Sequence, residues 1–264
     1  MKKQLLDKLN ELSLQPKFSL GQNFLISSRV VELIVSKVNT ILNKSSLIEV
    51  GPGLGALTDY FKSYDDYTLI ELDRDLVKYW TSKNLKIIQS DALKLNWNSL
   101  DIKDNSVLVS NLPYQIASRL FIDRSLGPLN IKYMILMFQK EVAQRITASI
   151  DSKTYGILSV IGQLSWDINK LCDVSPQEFY PSPKVAGRVL YFSKKSFVLE
   201  KDFFLFVKQA FSQRRKMLVK NLSSFLSADK IVSVIDSKTK RAENVTPKEF
   251  YDLYSLYKLG KQKV

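Results

Sequence analysis

The sequence predicts an α/β fold with a mostly parallel sheet of seven strands, followed by a small all-helical C-terminal domain. Up to residue 193, short aliphatic segments alternate with amphipathic segments of helical length. This alternation is typical of βαβ units, whose parallel strands are covered by helices on both faces. Beyond residue 194, the apolar residues recur with the period of a helix. We therefore predict two domains, 1–193 and 194–264.

The individual elements follow from the same pattern, taken in chain order. Five strands, rich in β-branched or aliphatic residues, are predicted at 46–50, 68–71, 86–89, 107–111 and 132–138. Helices are predicted at 30–42, 54–62, 73–82, 116–124 and 139–150. The apolar segments 164–174 and 188–192 are predicted to add an antiparallel hairpin at the sheet edge. In the second domain, helices are predicted at 203–211, 214–226, 231–235 and 247–259.

The composition excludes several kinds of chemistry. Histidine is absent and Cys172 is the single cysteine, which excludes imidazole bases, an internal disulfide and a zinc site built from cysteine. We expect no metal. The longest uninterrupted apolar stretch, 133–138, is too short to span a bilayer, and the N-terminus lacks the apolar core of a signal peptide. We therefore expect a cytoplasmic protein that works with carboxylates, amides, carbonyls, aromatic rings or a cofactor.

The positive charge is concentrated near the C-terminus. Residues 194–264 contain 16 Lys and Arg against 7 Asp and Glu, so they carry +9 of the total net charge of +13. Such an excess indicates a polyanionic partner. Arg214, Arg215, Lys216 and Lys220 fall within two turns of one predicted helix and are the predicted phosphate contacts. A lysine-rich, solvated surface is the alternative interpretation.

A glycine-rich turn follows the first predicted strand. The segment 48–56 reads Ile-Glu-Val-Gly-Pro-Gly-Leu-Gly-Ala, with a strand before it and a predicted helix after it. Gly51 and Gly53 would let the backbone approach a ligand closely. Glu71, at the end of the next strand, is placed to accept both ribose hydroxyls of a nucleoside. These features alone predict a nucleoside cofactor without separating NAD from S-adenosylmethionine.

Two further segments follow the third and fourth strands. Asp91, in Gln-Ser-Asp-Ala, is placed to accept the exocyclic amine of adenine, although it could instead cap a turn. The second segment, 110–114, reads Ser-Asn-Leu-Pro-Tyr. There the Asn111 amide oxygen and the backbone carbonyl preceding Pro113 can accept hydrogen bonds from one amine. They would favour a pyramidal nitrogen whose lone pair faces a methyl sulfonium, without a general base. Tyr114 can stack on the target base.

With these residues in view, the chain resembles the KsgA/RsmA family of ribosomal RNA adenine N6,N6-dimethyltransferases. The resemblance extends over nearly the whole chain. Its motifs include Gly21-Gln22-Asn23-Phe24-Leu25, the segment 49–55, the segment 70–76, the segment 111–114, Gln139-Lys140-Glu141-Val142, the segment 179–185, the segment 210–216 and Arg241-Ala242-Glu243-Asn244. The last two favour this family over the related erythromycin-resistance methyltransferases.

The resemblance implies a Rossmann-like class I methyltransferase fold and S-adenosylmethionine as methyl donor. It also implies which residues form the site. The implied cofactor contacts are Asn23, Leu25, Gly51, Gly53, Glu71, Asp91 and Asn111, and the implied target-base site comprises Asn111, Leu112, Pro113, Tyr114 and Phe179. The segment 21–25 would fold over the cofactor, and Phe179 would lie opposite Tyr114 across the flipped base.

The substrate implied by the resemblance is small-subunit rRNA in an immature 30S particle. The reaction would be dimethylation of two adjacent adenosines in the 3′-terminal hairpin, performed by a monomer. Two alternatives on the same fold stay open: a large-subunit methyltransferase of the erythromycin-resistance type, and a non-enzymatic ribosome-assembly factor. A third, an NAD-dependent dehydrogenase, would leave the segment 111–114 unexplained.

Overall fold

The computed structural model describes residues 1–112, 114–127, 129–196 and 199–261, with the backbone alone at 114 and 115. The strands are β1 (Phe24–Leu25), β2 (Leu47–Val50), β3 (Tyr67–Glu71), β4 (Ile87–Gln89), β5 (Ser106–Ser110), β6 (Ile131–Gln139), β7 (Trp166–Val174), β8 (Phe179–Tyr180) and β9 (Gly187–Lys194). The helices are α1 (Lys2–Glu11), α2 (Ser28–Ile41), α3 (Thr58–Phe61), α4 (Arg74–Thr81), α5 (Tyr114–Ser125), α6 (Lys140–Ile146), α7 (Ile157–Ser165), α8 (Lys201–Ala210), α9 (Leu218–Asn221), α10 (Ala228–Ile235) and α11 (Pro247–Lys261).

Seven strands form one sheet in the order β4-β3-β2-β5-β6-β9-β7. The pairs formed by β2, β3, β4, β5 and β6 are parallel, whereas β9 runs antiparallel to β6. Every residue of β2, β3 and β5 is buried, as expected for central strands covered by helices on both faces. The predicted mostly parallel, seven-stranded sheet is therefore confirmed, with its last two strands at one edge.

Two predicted helices are much shorter than expected. The helix predicted at 54–62 is only the single turn α3, because Gly53 and Gly55 have positive φ angles of 56° and 95° that interrupt helical geometry. The helix predicted at 214–226 is only α9. There the Leu218 N–H donates to the Lys240 carbonyl (2.8 Å), and the Asn221 side chain donates to the Ala210 carbonyl (2.7 Å). These contacts hold 211–216 as turns and bends, and Met217 forms an isolated antiparallel β-bridge with Arg241.

The prediction also omitted two helices. α1 lies at the N-terminus, and α7 precedes β7. The strand predicted at 164–174 is confirmed as β7, except that its first two residues end α7. None of the helices in the described ranges is both long and apolar enough to cross a membrane.

Contacts between Cα atoms group the chain into two compact units. The first comprises Met1–Arg124, Pro128–Ala143 and Ile168–Lys194. The second comprises Ser125–Gly127, Gln144–Asp167 and Lys195–Val264. The predicted boundary at 193–194 lies beside the start of the last segment, but α7 and its flanking residues also belong to the helical unit.

Each unit has its own apolar core. In the first unit, one cluster packs α2 and the sheet, and a smaller one joins α1 to Phe24, Leu54 and Leu76. In the second unit, α7 to α11 surround buried aromatic residues that include Phe203, Phe206 and Phe250. The predicted C-terminal helical region is confirmed, and these phenylalanines form its core.

Candidate active site

A cavity of about 450 Å³ opens at the edge of the sheet where the parallel strands end. This is the usual ligand site of open α/β sheets, and the volume lies within the range typical of small-molecule sites. The predicted site residues that line it are Asn23, Leu25, Gly51, Gly53, Glu71, Asp91, Asn111, Leu112 and Phe179. Tertiary structure thus brings together residues that are widely separated along the chain.

The turn after β2 forms one wall of the cavity. Gly51 and Gly53 adopt positive φ angles of 70° and 56°, a conformation that side chains disfavour. A Cβ atom at Gly55 would lie only 2.8 Å from Cη2 of Trp80. The Gly51 N–H donates to the Ile70 carbonyl (2.9 Å). Since α3 begins at Thr58, the predicted helix N-terminus does not follow the glycines directly.

Glu71 ends β3 and is buried at the cavity wall. Its Oε1 accepts hydrogen bonds from the backbone N–H groups of Leu72 (2.8 Å) and Asp73 (2.9 Å). Burial raises the pKa of Glu71, while these bonds and one from the Gly53 backbone oppose the rise. The carboxylate is therefore held in one orientation beside the glycine turn.

Asp91 follows β4 and has a second, structural contact. Its Oδ1 accepts the Leu93 N–H at 2.9 Å, so it caps the turn that begins there. It also lines the cavity, next to the buried Ala92. A carboxylate has lone pairs for more than one donor, so the turn contact and a ligand contact are compatible.

The segment after β5 faces the glycine turn. The Ser110 hydroxyl donates to the Val50 carbonyl at 2.6 Å, which ties the end of β5 to the end of β2. Asn111 and Leu112 line the cavity directly beyond this contact. Pro113 lies outside the described residues. The Tyr114 backbone begins α5, and its side chain is also outside the described part of the chain.

The segment before α2 is fixed against the cavity by two sets of contacts. Phe24 and Leu25 pair with Tyr180 and Phe179 in the two-stranded antiparallel sheet β1–β8. This pairing places Phe179 beside the segment implied to cover the cofactor, a neighbour that the sequence did not predict. Its expected place opposite Tyr114 stays a prediction, because the Tyr114 side chain lies outside the described residues. Phe179 is itself buried at the cavity wall.

The second set joins the same segment to the end of β3. Gln22 Nε2 and Lys17 Nζ donate to the Asp73 carboxylate at 2.8 Å and 2.5 Å. Burial opposes ionisation of Asp73, but the bonds from Lys17 and Gln22 outweigh it and lower its pKa. The segment is therefore anchored over the cavity by an ionised carboxylate two residues beyond Glu71.

Sequence reasoning missed one wall of the cavity. Met1, Gln4, Leu5 and Lys8, spaced as one face of α1, line it. Lys8 Nζ donates to the Leu54 carbonyl (3.0 Å) and to Asp59 (2.8 Å). The helical spacing of the leucines in 5–12 could have revealed α1, but its position against the glycine turn depends on tertiary contacts.

Sequence reasoning also missed Glu49 as a residue of the cavity. It lies in β2 beneath the cavity and is buried. Burial raises its pKa to about 7, against hydrogen bonds donated by the hydroxyls of Tyr67 and Thr58. The sequence places Glu49 before the glycine turn but gives no sign of its depth in the sheet.

The predicted phosphate contacts occupy the helical unit, in an arrangement that differs from the prediction. Arg214, Arg215 and Lys216 lie in the turns between α8 and α9, and Lys220 lies in α9, so they do not share one long helix. All four are exposed. Arg214 donates to the Glu243 carboxylate (2.8 Å) and to the Lys153 carbonyl (3.1 Å), which fixes its direction.

The strand order, with a cavity at the carboxyl edge of the parallel strands, is that of the Rossmann-like class I methyltransferase fold. A sequence model described as ribosomal RNA adenine dimethylase matches residues 13–259, and the chain belongs to this family. It is therefore an enzyme of rRNA adenine methylation, as the sequence predicted.

Individual relatives are similar over nearly their whole length. The chain is 44% identical over 255 residues to ribosomal RNA small subunit methyltransferase A of Bdellovibrio bacteriovorus, covering 92% of this chain and 93% of the relative. It is 36% identical over 263 residues to the protein of the same name from Mycoplasmoides gallisepticum, covering 96% of each.

Solved structures show the same fold at lower identity. A dimethyladenosine transferase from Plasmodium falciparum superposes with a TM-score of 0.75 at 22% identity, over 91% of this chain and 98% of that one. The 23S rRNA methyltransferase ErmE superposes with a TM-score of 0.67 at 18% identity, over 89% and 100%. At these identities the likeness concerns the fold alone.

Proposed function

We propose that this protein uses S-adenosylmethionine to dimethylate N6 of two adjacent adenosines in the 3′-terminal hairpin of small-subunit rRNA, within an immature 30S particle. One observation carries the proposal. The described residues assigned to the cofactor and to the target amine line a single cavity, although they come from the segment 21–25 and from the ends of four different strands. Family membership implies the methyl donor, and the names of the relatives indicate the small subunit.

In the proposed cofactor complex, each wall of the cavity recognises one part of the ligand. Glu71, oriented by two backbone N–H groups, accepts the ribose hydroxyls. Asp91 accepts the exocyclic amine of the cofactor adenine. Gly51 and Gly53 leave room for the methionine portion, because neither has a Cβ atom. The segment carrying Asn23 and Leu25, held down through Gln22 and Asp73, excludes water.

The proposed chemistry needs positioning rather than a base. When bound, the cofactor supplies an electrophilic methyl group. In the first transfer, the Asn111 amide oxygen and the Leu112 carbonyl, held by Pro113, would accept the two N6 hydrogens and turn the nitrogen lone pair toward that methyl. In the second transfer, one of them would accept the remaining hydrogen. Each transfer would exchange the S–CH₃ bond for an N–CH₃ bond and would release one N6 proton to solvent. Carbonyl oxygens aimed at the developing positive charge stabilise the transition state.

The target adenine must leave its stack, which costs about a few kcal/mol. In the proposed complex, Phe179 and Tyr114 cover the two faces of the flipped base. Aromatic stacking of this kind contributes about 1–3 kcal/mol per base, so two rings can offset the cost. The β1–β8 pairing supports this role for Phe179, because it holds the residue at the cavity.

The proposed rRNA surface is the basic turn formed by Arg214, Arg215 and Lys216, together with Lys220. All four are exposed, and residues 194–264 carry +9 of the net charge of +13 of the chain. Contacts of this type neutralise phosphates and read the shape of the rRNA more than its sequence.

Purified protein, S-adenosylmethionine and unmethylated ribosomal subunits provide the test. We expect N6,N6-dimethyladenosine in 30S particles, mapped by mass spectrometry to the 3′-terminal hairpin, and none in 50S particles. Modification of 50S alone would establish the erythromycin-resistance type of activity instead. Binding to 30S with no methyl transfer by the wild-type protein would establish an assembly factor.

A further inference from the structure

All three tryptophans of the chain are buried, and each indole N–H donates a hydrogen bond. Trp80 donates to the Gly53 carbonyl at 2.9 Å, and Trp97 donates to the Ala92 carbonyl at 2.9 Å. Trp166 donates to the Ser125 hydroxyl at 2.8 Å. All three indoles belong to the apolar core, but their acceptors lie in different parts of the fold.

Two of the three acceptors belong to the cavity wall. Gly53 is part of the glycine turn, and Ala92 follows Asp91; both line the cavity. Neither Trp80 nor Trp97 is among the lining residues, so both indoles hold the wall from outside. Trp166 and Ser125 belong to the helical unit and are equally buried. Trp166 is thus an internal reference for a tryptophan with no contact to the cavity.

Trp80 connects the glycine turn to the ribose residue. It lies in α4, which begins three residues after Glu71. Its ring packs so closely under the turn that a Cβ atom at Gly55 would meet it at 2.8 Å. Its N–H satisfies the carbonyl of Gly53, a residue held at a φ of 56°. The indole therefore fixes the position of the glycine turn at the cavity wall.

Trp97 performs the same task at the other end of the cavity. Its N–H satisfies the Ala92 carbonyl, while the Asp91 carbonyl accepts Lys94 N–H (2.9 Å). The Arg124 guanidinium lies 4.1 Å from the centroid of the indole and is itself buried. Arg124 is in the last turn of α5, the helix that begins at the target-base segment. Trp97 therefore lies between that helix and the turn carrying Asp91.

We propose that Trp80 and Trp97 are positioning residues that set the two ends of the S-adenosylmethionine cavity through their indole N–H groups, without touching the cofactor. The inference rests on the proposed function, since it takes the cavity to be the cofactor site. Removing one donor leaves a buried carbonyl without its partner, so the attached turn shifts to find another. Binding of the cofactor must then restore the original geometry, which weakens its affinity.

The test compares Trp80→Phe and Trp97→Phe with the matched control Trp166→Phe. Each change keeps an aromatic ring and removes one N–H donor. For the first two variants we expect the S-adenosylmethionine Kd, measured by calorimetry, to rise about fivefold or more. At saturating cofactor, kcat and the KM for 30S particles stay near wild type. For Trp166→Phe we expect a lower Tm with an unchanged Kd.

Loss of packing is controlled by β-(3-benzothienyl)alanine at position 80 or 97, which keeps the bicyclic shape and replaces N–H with sulfur. The benzothienyl variant should bind S-adenosylmethionine as weakly as the phenylalanine variants do. It also keeps the inference testable if the phenylalanine variants fold poorly. Wild-type affinity in the benzothienyl variants, or an equal loss in Trp166→Phe, would overturn the inference. Failure of the proposed function would look different: the wild-type protein itself would not bind S-adenosylmethionine, or Glu71→Gln would bind it as tightly.

Discussion

Leu25 and Phe179 lie directly opposite each other in the antiparallel β1–β8 pair, and both line the cavity. One belongs to the segment assigned to the cofactor, and the other is assigned to the target base. The Ile26 N–H also donates to the Glu178 carbonyl at 2.8 Å, and Ser27 donates to the Glu178 carboxylate at 2.6 Å. The β1–β8 pairing therefore connects the segment proposed to cover the cofactor with the residue proposed to stack on the target base.

Phe179→Leu should separate stacking from packing, because leucine keeps much of the apolar volume without a flat ring. We expect kcat/KM for 30S particles to fall about fivefold to a hundredfold, since stacking contributes about 1–3 kcal/mol. Cofactor affinity should change little. Phe179→Tyr is the matched control and should retain activity. If Phe179→Leu methylates 30S particles as fast as the wild-type protein, Phe179 does not belong to the target-base site.

Asn111→Ala should strongly reduce turnover, since it removes one of the two acceptors proposed to orient N6. Loss of a single group of this kind typically lowers kcat by about a hundredfold to a thousandfold. Affinity for 30S particles should fall much less. The measurement is single-turnover methyl transfer at saturating cofactor, with binding to 30S followed separately. Near-normal transfer by the alanine variant would refute the assigned role.

Glu71→Gln should weaken S-adenosylmethionine binding about tenfold or more, because a charged acceptor is lost and charge-assisted hydrogen bonds are the stronger ones. Glu32→Gln, at an exposed position of α2, removes the same charge outside the cavity and should leave the affinity unchanged. Calorimetric titration of both variants provides the measurement. If both bind as the wild type does, the ribose assignment is wrong.

Glu49 should make a pH-dependent contribution to stability. Its pKa is about 7 in the folded protein, above the usual value for a glutamate, so the folded state binds the proton more tightly. This contribution is fully present below about pH 4.5 and is lost as pH rises through about 7. The unfolding free energy of the wild type relative to Glu49→Gln should therefore fall between pH 5 and pH 8, by up to about 3 kcal/mol. Urea unfolding of both proteins measures it, and a constant difference would contradict the buried, proton-binding state.

Arg215→Ala and Lys216→Ala should weaken 30S binding and reduce its salt dependence by about one counterion each. Cofactor affinity should not change. Lys238→Ala removes the same charge from another exposed position of the helical unit and is the matched control. Binding constants measured over a range of salt concentrations distinguish the two cases. An equal loss in Lys238→Ala would assign the effect to net charge rather than to the basic turn.

The sequence alone determined the order of the strands along the chain and the identity of the residues at their carboxyl ends. Central parallel strands are buried on both faces, so β2, β3 and β5 are rich in β-branched or aliphatic residues along their whole length. Because such strands end at one edge of the sheet, Glu71 and Asn111 could be placed near the glycine turn without coordinates.

Local periodicity failed where backbone conformation depends on distant partners. The apolar spacing of 214–226 is helical, but the bond from Leu218 to Lys240 and the side chain of Asn221 hold most of this segment as turns. Similarly, the positive φ angles of the glycines shorten α3. A helix forms only if its own hydrogen bonds are more favourable than such contacts. The spacing of apolar residues gives no information about these distant partners.

Only the tertiary structure decided the depth and the walls of the cavity. It placed Lys8 against Leu54, buried Glu49 beneath the glycine turn and paired Leu25 with Phe179. It also turned two core tryptophans toward carbonyls of the cavity wall. Burial and hydrogen-bond geometry depend on contacts between segments far apart along the chain, so they arise when the chain is packed and not from the spacing of its residues.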